Sequence, residues 1–262
     1  MRTLSRKDVC DLKGPSEIAA MSRAGEITAR ILALLSRAAV PGASTGDLDS
    51  LAREELRKRG AKPAFLGYRG FPAVLCASLN SEVVHGIPSP RRVLAEGDII
   101  GLDFGCIVDG FYADSAVTVG VGRVSRAASR LMSVTRESLF KGIDAMAPDK
   151  RIGDISSAVQ EHAEAAGYSL VRHFAGHGIG RALHEEPQVP NVGKAGTGPR
   201  LAVGMVLAIE PMVCAGSPDV KILEDGWTAA TEDGRLSAHF EHTVHLSPEG
   251  PRILTRLEDV DG

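Results

Sequence analysis

An α+β fold of two similar halves sharing one sheet is predicted by the order of patterns along the chain: helical periodicity, β runs, helical periodicity, β runs. Three observations carry this. Apolar residues recur every three or four positions from Met21 to Leu35 and again within 45–60. Short Val-, Ile- and Leu-rich runs broken by turn residues fill 73–122. The same succession returns with helical spacing over 125–166 and strands from 205 onward. No sequence repeat ties the halves together and no Gly/Ser-rich linker divides them, so 16–256 reads as a single domain between tails 1–15 and 257–262.

Pro15 and Ser16 precede a helix whose inner face is Met21, Ala24, Thr28, Ile31 and Leu35, stopped by Pro41-Gly42. Thr45 is placed to cap a second helix with Leu48, Leu51, Ala52 and Leu56 inside and Gly60 at its end. Hairpins are expected between Ala73 and Gly122, where Asn80-Ser81, Pro88 to Pro90 and Asp109-Gly110 interrupt the β runs. Two further helices span about 125–147 and 152–166. The clearest later strands are Met205–Ile209, Trp227–Thr231 and Ser237–Leu246, and Pro187–Pro199 reads as a loop.

Composition narrows the function classes. With 44% hydrophobic and 24% charged residues the chain is an ordinary globular protein. Lys and Arg total 30 against 33 Asp and Glu, without long runs of one sign, so charge supplies no argument for a nucleic-acid or membrane partner and neither is expected. Met1 to Pro15 lacks the apolar stretch of a signal peptide, so a cytoplasmic protein is expected. Cys10, Cys76, Cys106 and Cys214 are scattered and read as reduced thiols.

The chemistry lies in a few charged residues set among apolar ones. Asp109-Gly110 signals a two-residue hairpin turn, and counting back from it pairs Val108 with Phe111 and Gly105 with Asp114. Asp103 and Asp114 then share one face as diagonal neighbours about 7–8 Å apart, within reach of two metals about 3.5–4 Å apart. The alternation leaves open whether that face is buried or meets water. His177 and His184 sit in His173-Phe-Ala-Gly-His177-Gly-Ile-Gly180-Arg-Ala-Leu-His184, where glycines let the backbone approach a ligand closely. Glu210 emerges from the apolar run Met205–Ile209 and must be paired, metal-bound or at a sheet edge. Glu241, read on its own segment, alternates onto a water-facing side.

Together, Asp103, Asp114, Glu210, Glu241 and His177 make a donor set for two divalent cations, whose charge offsets the four carboxylates. Oxygen ligands with one nitrogen suit Mn²⁺, Fe²⁺, Co²⁺ or Zn²⁺.

At this point the sequence resembles the type I methionine aminopeptidases of the M24 metallopeptidases. The matching stretches are Pro41–Asp49, Gly67–Pro72, Val84-His85-Gly-Ile-Pro88, Asp98–Asp114, Gly176–Arg181, His184–Pro187, Gly204–Pro211 and Phe240-Glu-His-Thr243, in family order over about 16–250. The resemblance implies the pita-bread fold, two pseudo-symmetric halves around a curved antiparallel sheet. It implies hydrolytic removal of the initiator methionine from nascent proteins with a small second residue, through a water activated by two metal ions. It casts the five residues above as metal ligands and His85 and His184 as catalytic histidines beside the scissile nitrogen and carbonyl; Glu210 is the candidate proton shuttle between water and the leaving amine. Tyr68, Phe71, Cys76, His85, Leu183 and Trp227 map to the substrate pocket. A monomer with transient ribosome association is expected, without the N-terminal extension of longer members. Leu183 stands where Phe is usual, and His239 where Gln is common. The alternatives are a relative that cleaves before proline and an inactive peptide-binding protein.

Overall fold

The computed structural model describes residues 10–257; the outer parts of both expected tails, 1–9 and 258–262, lie outside the described residues. Pro15 opens helix α1 (Pro15–Ala38), where a missing N–H costs nothing, and the Gly14 N–H donates to the Glu17 carboxylate at 2.8 Å. The face predicted from spacing is the buried one: Met21, Ile31 and Leu35 are wholly enclosed, each stabilising by about 1.5–3 kcal/mol. Helix α2 (Thr45–Lys58) is capped by Ser44, not Thr45. The Ser44 hydroxyl accepts from the Asp47 N–H at 3.1 Å, while Thr45 is buried and donates to the Ser89 carbonyl.

The first half continues with β1 (Lys62–Pro63), β2 (Leu75–Leu79), β3 (Glu82–Val84), β4 (Ile99–Val108) and β5 (Phe111–Gly120). The second half begins with α3 (Arg126–Asp144) and α4 (Ile152–Ala165). Strands β6 (Ser169–Leu170), β7 (Ala175–Gly178), β8 (Glu185–Pro190), β9 (Val206–Ile209) and β10 (Met212–Cys214) follow. The last are β11 (Val220–Ile222), β12 (Ala229–Thr231), β13 (Ser237–His239), β14 (Glu241–Ser247) and β15 (Gly250–Ile253).

Nine strands form one sheet along the path β1-β4-β5-β14-β9-β7-β8, with β2 on β4 and β15 on β14. The described pairings are antiparallel. The helices cover one face of it. Ile100, Leu102 and Phe104 of β4 join α1 and α2 in one cluster, while Leu207, Ile209, Val244 and Leu246 join α3 and α4 in another. The intervening residues therefore point to the opposite, concave face.

Two expectations are corrected. Ser237–Leu246 is not one strand, because at Phe240 the chain passes from the small β13-β10-β6 sheet into the large one. Pro187–Pro190 is not loop but the end of β8, paired with β7; proline is tolerated there because β8 ends the sheet path and its outer edge needs no donor.

Residues 10–14 are tied down. Lys13, with its side chain 1% exposed, reaches the Glu185 carboxylate at 2.6 Å and Asp11 at 2.9 Å. The other oxygen of Glu185 accepts from the Arg181 and Ala182 N–H groups at 2.7 and 3.1 Å. A Cβ on Gly180 would stand 2.1 Å from Lys13 Cε, so glycine leaves room for this staple. Lys13→Met strands a carboxylate and is expected to cost about 2 kcal/mol, measured by denaturant unfolding.

Candidate active site

The strand register assembles the site. Cys76 pairs with Asp103, Asp103 with Ala116, and Ala116 with Glu241, so these four lie in one row across the sheet. A second row, two residues along, runs Gly105, Asp114, then Thr243, Ala208 and His177. The Thr243 hydroxyl stitches that row by donating to the Asp114 carbonyl at 2.7 Å and accepting its N–H at 3.0 Å. Glu210 directly follows β9, two residues beyond Ala208, and so shares its face. Small residues at 105, 116 and 208 leave the space that the charged side chains enter.

Burial settles the question the alternation left open: Asp114 and Glu241 are buried, 5% and 2% exposed. Glu241 does not face water, because β14 is flanked by β5 and β9 and its polar face looks into the concavity. The glycines around His177 also have a different purpose from the one expected. A Cβ on Gly176 would meet the Ala208 carbonyl at 2.3 Å, and one on Gly178 the Glu186 carbonyl at 2.3 Å. They admit neighbouring strands, not a ligand.

Asp114, His177 and Glu241 present donor atoms that all lie within 4.8 Å of one another. Glu210 adjoins them, its Oε1 3.6 Å from His177 Nε2. One oxygen each of Asp103, Asp114 and Glu241 is buried without a hydrogen-bond partner. Burial, then mutual repulsion, holds the carboxyls of Asp103, Glu210 and Glu241 well above the usual carboxylate range, and burial pushes Asp114 up to about 7. His177 donates from Nδ1 to the Gly178 carbonyl at 2.9 Å, which leaves Nε2 as the acceptor aimed at the carboxylates. Orphaned carboxylate oxygens around a free imidazole nitrogen fit divalent cations, which supply both the missing partners and the missing positive charge.

These groups floor a cavity of about 650 Å³ whose lining includes all six residues expected in the substrate pocket. Phe71 and Trp227 meet edge to face at 5.2 Å, and Leu183 and Cys76 are buried beside them. His85 has a left-handed backbone, φ +62°, and its ring stands perpendicular to Phe174 and Trp227; such conformations are held only by surrounding structure. Burial lowers His85 to about 4. His184 lies at the mouth, 4.2 Å ring to ring from His177, with Nδ1 2.7 Å from the Tyr68 hydroxyl. Phe65, Phe174 and Met212 also line the cavity. Sequence reading passed over them; Phe174 and Met212 each lie within four residues of a candidate ligand, while Phe65 carries no local signal.

Residues 19–248 match metallopeptidase family M24. The chain belongs to that family. Among M24 proteins it is 51% identical to the methionine aminopeptidase of Clostridium perfringens over 247 residues, 94% of this chain and 99% of that one. The crystal structure of methionine aminopeptidase from Thermotoga maritima superposes with a TM-score of 0.94 at 45% identity, covering 95% of this chain and all of that one. The prolidase of Pyrococcus horikoshii shares the fold alone: TM-score 0.78, 21% identity, with 65% of that chain covered. The expected pita-bread architecture is thus the fold of this M24 chain, and its acidic cluster is a divalent-metal site.

Loading this M24 site must displace protons. Asp114 loses its proton only as pH rises through about 7, so apparent metal affinity is expected to rise through that range, about tenfold per pH unit for each proton released. Burial holds His177 at about 3, so this imidazole is already neutral there and does not oppose the trend. Calorimetric titration in buffers of different ionisation enthalpy measures the protons released.

Proposed function

We propose that this chain is a methionine aminopeptidase that hydrolyses the bond after the N-terminal methionine of nascent polypeptides with a small second residue. The observation that carries this reading is the 51% identity to a methionine aminopeptidase over almost the full length of both chains. The structure supports it with a carboxylate-lined floor beneath an apolar pocket. One catalytic domain, 16–256, supplies every group of the site, which supports action as a monomer.

In this reading Asp103, Asp114, His177, Glu210 and Glu241 hold two divalent ions of Co, Mn, Fe or Zn. Bound ions supply Lewis acidity and bring the pKa of water towards neutrality. Tyr68, Phe71, Cys76, Leu183 and Trp227 enclose the methionine side chain, and the free amine, absent from an internal peptide bond, is read at the acidic floor. Glu210 takes a proton from the attacking water and delivers it to the leaving amine. His85 contacts the scissile nitrogen. Tyr68 donates its O–H to Nδ1 of His184, which places the proton of a neutral ring on Nε2 and aims it at the carbonyl oxygen as negative charge develops.

The substrate places the protein in the cytoplasm and in transient contact with ribosomes. No helix among the described residues is long and apolar enough to cross a membrane. Nucleic acid is not a partner in this reading, which accords with a net charge of −3.

The deciding experiment is hydrolysis of Met-Ala-Ser by metal-stripped protein with each ion added back and Ala-Pro-Ala as control. Metal-dependent release of methionine is expected. Cleavage of Ala-Pro-Ala alone would move the chain to the proline-specific relatives, and cleavage of neither would leave a peptide-binding protein.

A further inference from the structure

We propose that His239 is a positioning residue for Glu210: an N–H at His239 Nε2 holds one carboxylate oxygen so that the other faces His177 and the metal floor. The inference rests on the metal-site reading above and extends it to a residue that reading does not use.

His239 is buried, 3% exposed, and its Nε2 has no hydrogen-bond partner among the described residues. That nitrogen lies 3.7 Å from Glu210 Oε2. The other oxygen, Oε1, lies 3.6 Å from His177 Nε2. Glu210 is therefore bracketed by two imidazoles, one at each oxygen.

Both backbones are pinned. The His239 N–H donates to the Thr118 hydroxyl at 2.9 Å, the same hydroxyl donates to the His239 carbonyl at 2.8 Å, and His239 pairs with Met212. Asn191 Nδ2 donates to the Glu210 carbonyl at 3.0 Å. His239 thus occupies the row beside that of Glu241, where Thr118 stands two residues beyond Ala116 on β5.

The gap itself is informative. A bridging water needs its two partners about 4.5 Å or more apart, since each bond takes about 2.8 Å. At 3.7 Å there is no room for one. A small rotation of the Glu210 side chain closes the gap to a direct bond, and the ring can present an N–H at Nε2 whether neutral or charged. His239 acts through Glu210.

The test is titration of metal-stripped full-length protein with Co²⁺, followed by its visible absorbance and by calorimetry, alongside Met-Ala-Ser kinetics. His239→Leu removes the donor and is expected to weaken Co²⁺ affinity about 10- to 100-fold, the scale for partners that orient metal ligands. Stoichiometry should hold and kcat should fall more than KM changes. His239→Gln restores a donor of similar reach and should keep Co²⁺ affinity within about threefold of the starting protein, well inside the loss expected on removing such a partner. Should His239→Leu fail to fold, His239→Asn, polar but too short to reach, is expected to show the same weakening. Wild-type Co²⁺ affinity in folded His239→Leu or His239→Asn protein overturns the proposal. If the unsubstituted protein takes up no Co²⁺ and releases no methionine, the metal-site reading falls and this inference falls with it.

Discussion

Asp114→Asn is expected to cut kcat/KM for Met-Ala-Ser by about 10³-fold or more, the loss of several kcal/mol of charge stabilisation, together with loss of bound metal. Asp114 interacts with each of the other four candidate ligands. It shares a 4.8 Å cluster with His177 and Glu241. Its charge also raises the pKa values of Asp103, Glu210 and Glu241. The same substitution should have the opposite effect on the metal-free fold. Asp114 is raised from 3.8 to about 7, so the folded state binds more protons than the unfolded state between those values, and stability falls as pH rises through that window. Above about pH 7 the metal-free protein carries the full penalty, and an uncharged amide beside carboxylate acceptors removes it. At pH 8 the metal-free Asp114→Asn protein should thus melt higher than the metal-free parent, while added metal, which stabilises the parent by mass action, should do little for the variant. Thermal melts with and without metal, plus metal analysis, check both signs; an active Asp114→Asn enzyme with full metal content would refute the assignment.

His184→Ala is expected to lower kcat by about 10²-fold or more, the scale of losing one preorganised donor to a developing oxyanion, with metal content unchanged. His184 stands at the cavity mouth, and no described contact ties it to the carboxylates. Its ring is set by the Tyr68 hydroxyl at 2.7 Å and lies tilted 30° to the Tyr68 ring. Tyr68→Phe keeps the imidazole but frees its orientation and tautomer, so a smaller loss in kcat, about tenfold, is expected. Steady-state kinetics with metal analysis separates the outcomes: loss of metal from His184→Ala would make it a ligand, and unchanged kcat would remove it from the chemistry.

Much of the framework is legible in the chain because it is local. The face of α1 follows from the spacing of Met21, Ala24, Thr28, Ile31 and Leu35, all buried. The register of β4 and β5 follows from Asp109-Gly110, and the observed pairing of Val108 with Phe111 and Gly105 with Asp114 is the one counted from the turn. Elsewhere local reading misleads for identifiable reasons. Glu241 alternates as a surface residue should, yet the opposite side of its strand is a cavity rather than solvent. Pro187 and Pro190 look like loop residues until β8 is seen to end the sheet path.

The sequence by itself determined the element order, the hairpin that puts Asp103 and Asp114 on one face, and the set of acidic and imidazole groups available for chemistry. Periodicity and turn chemistry act over a few residues, so they are written where they act. Only the tertiary structure decided that those faces turn inward together, that Glu210 and His177 join them from the second half, and that His239 comes to rest against Glu210. Those decisions depend on which strands pair across more than 100 residues of chain, and on helices covering one face of the sheet so that the other is left to enclose the site. No short stretch of sequence carries that information.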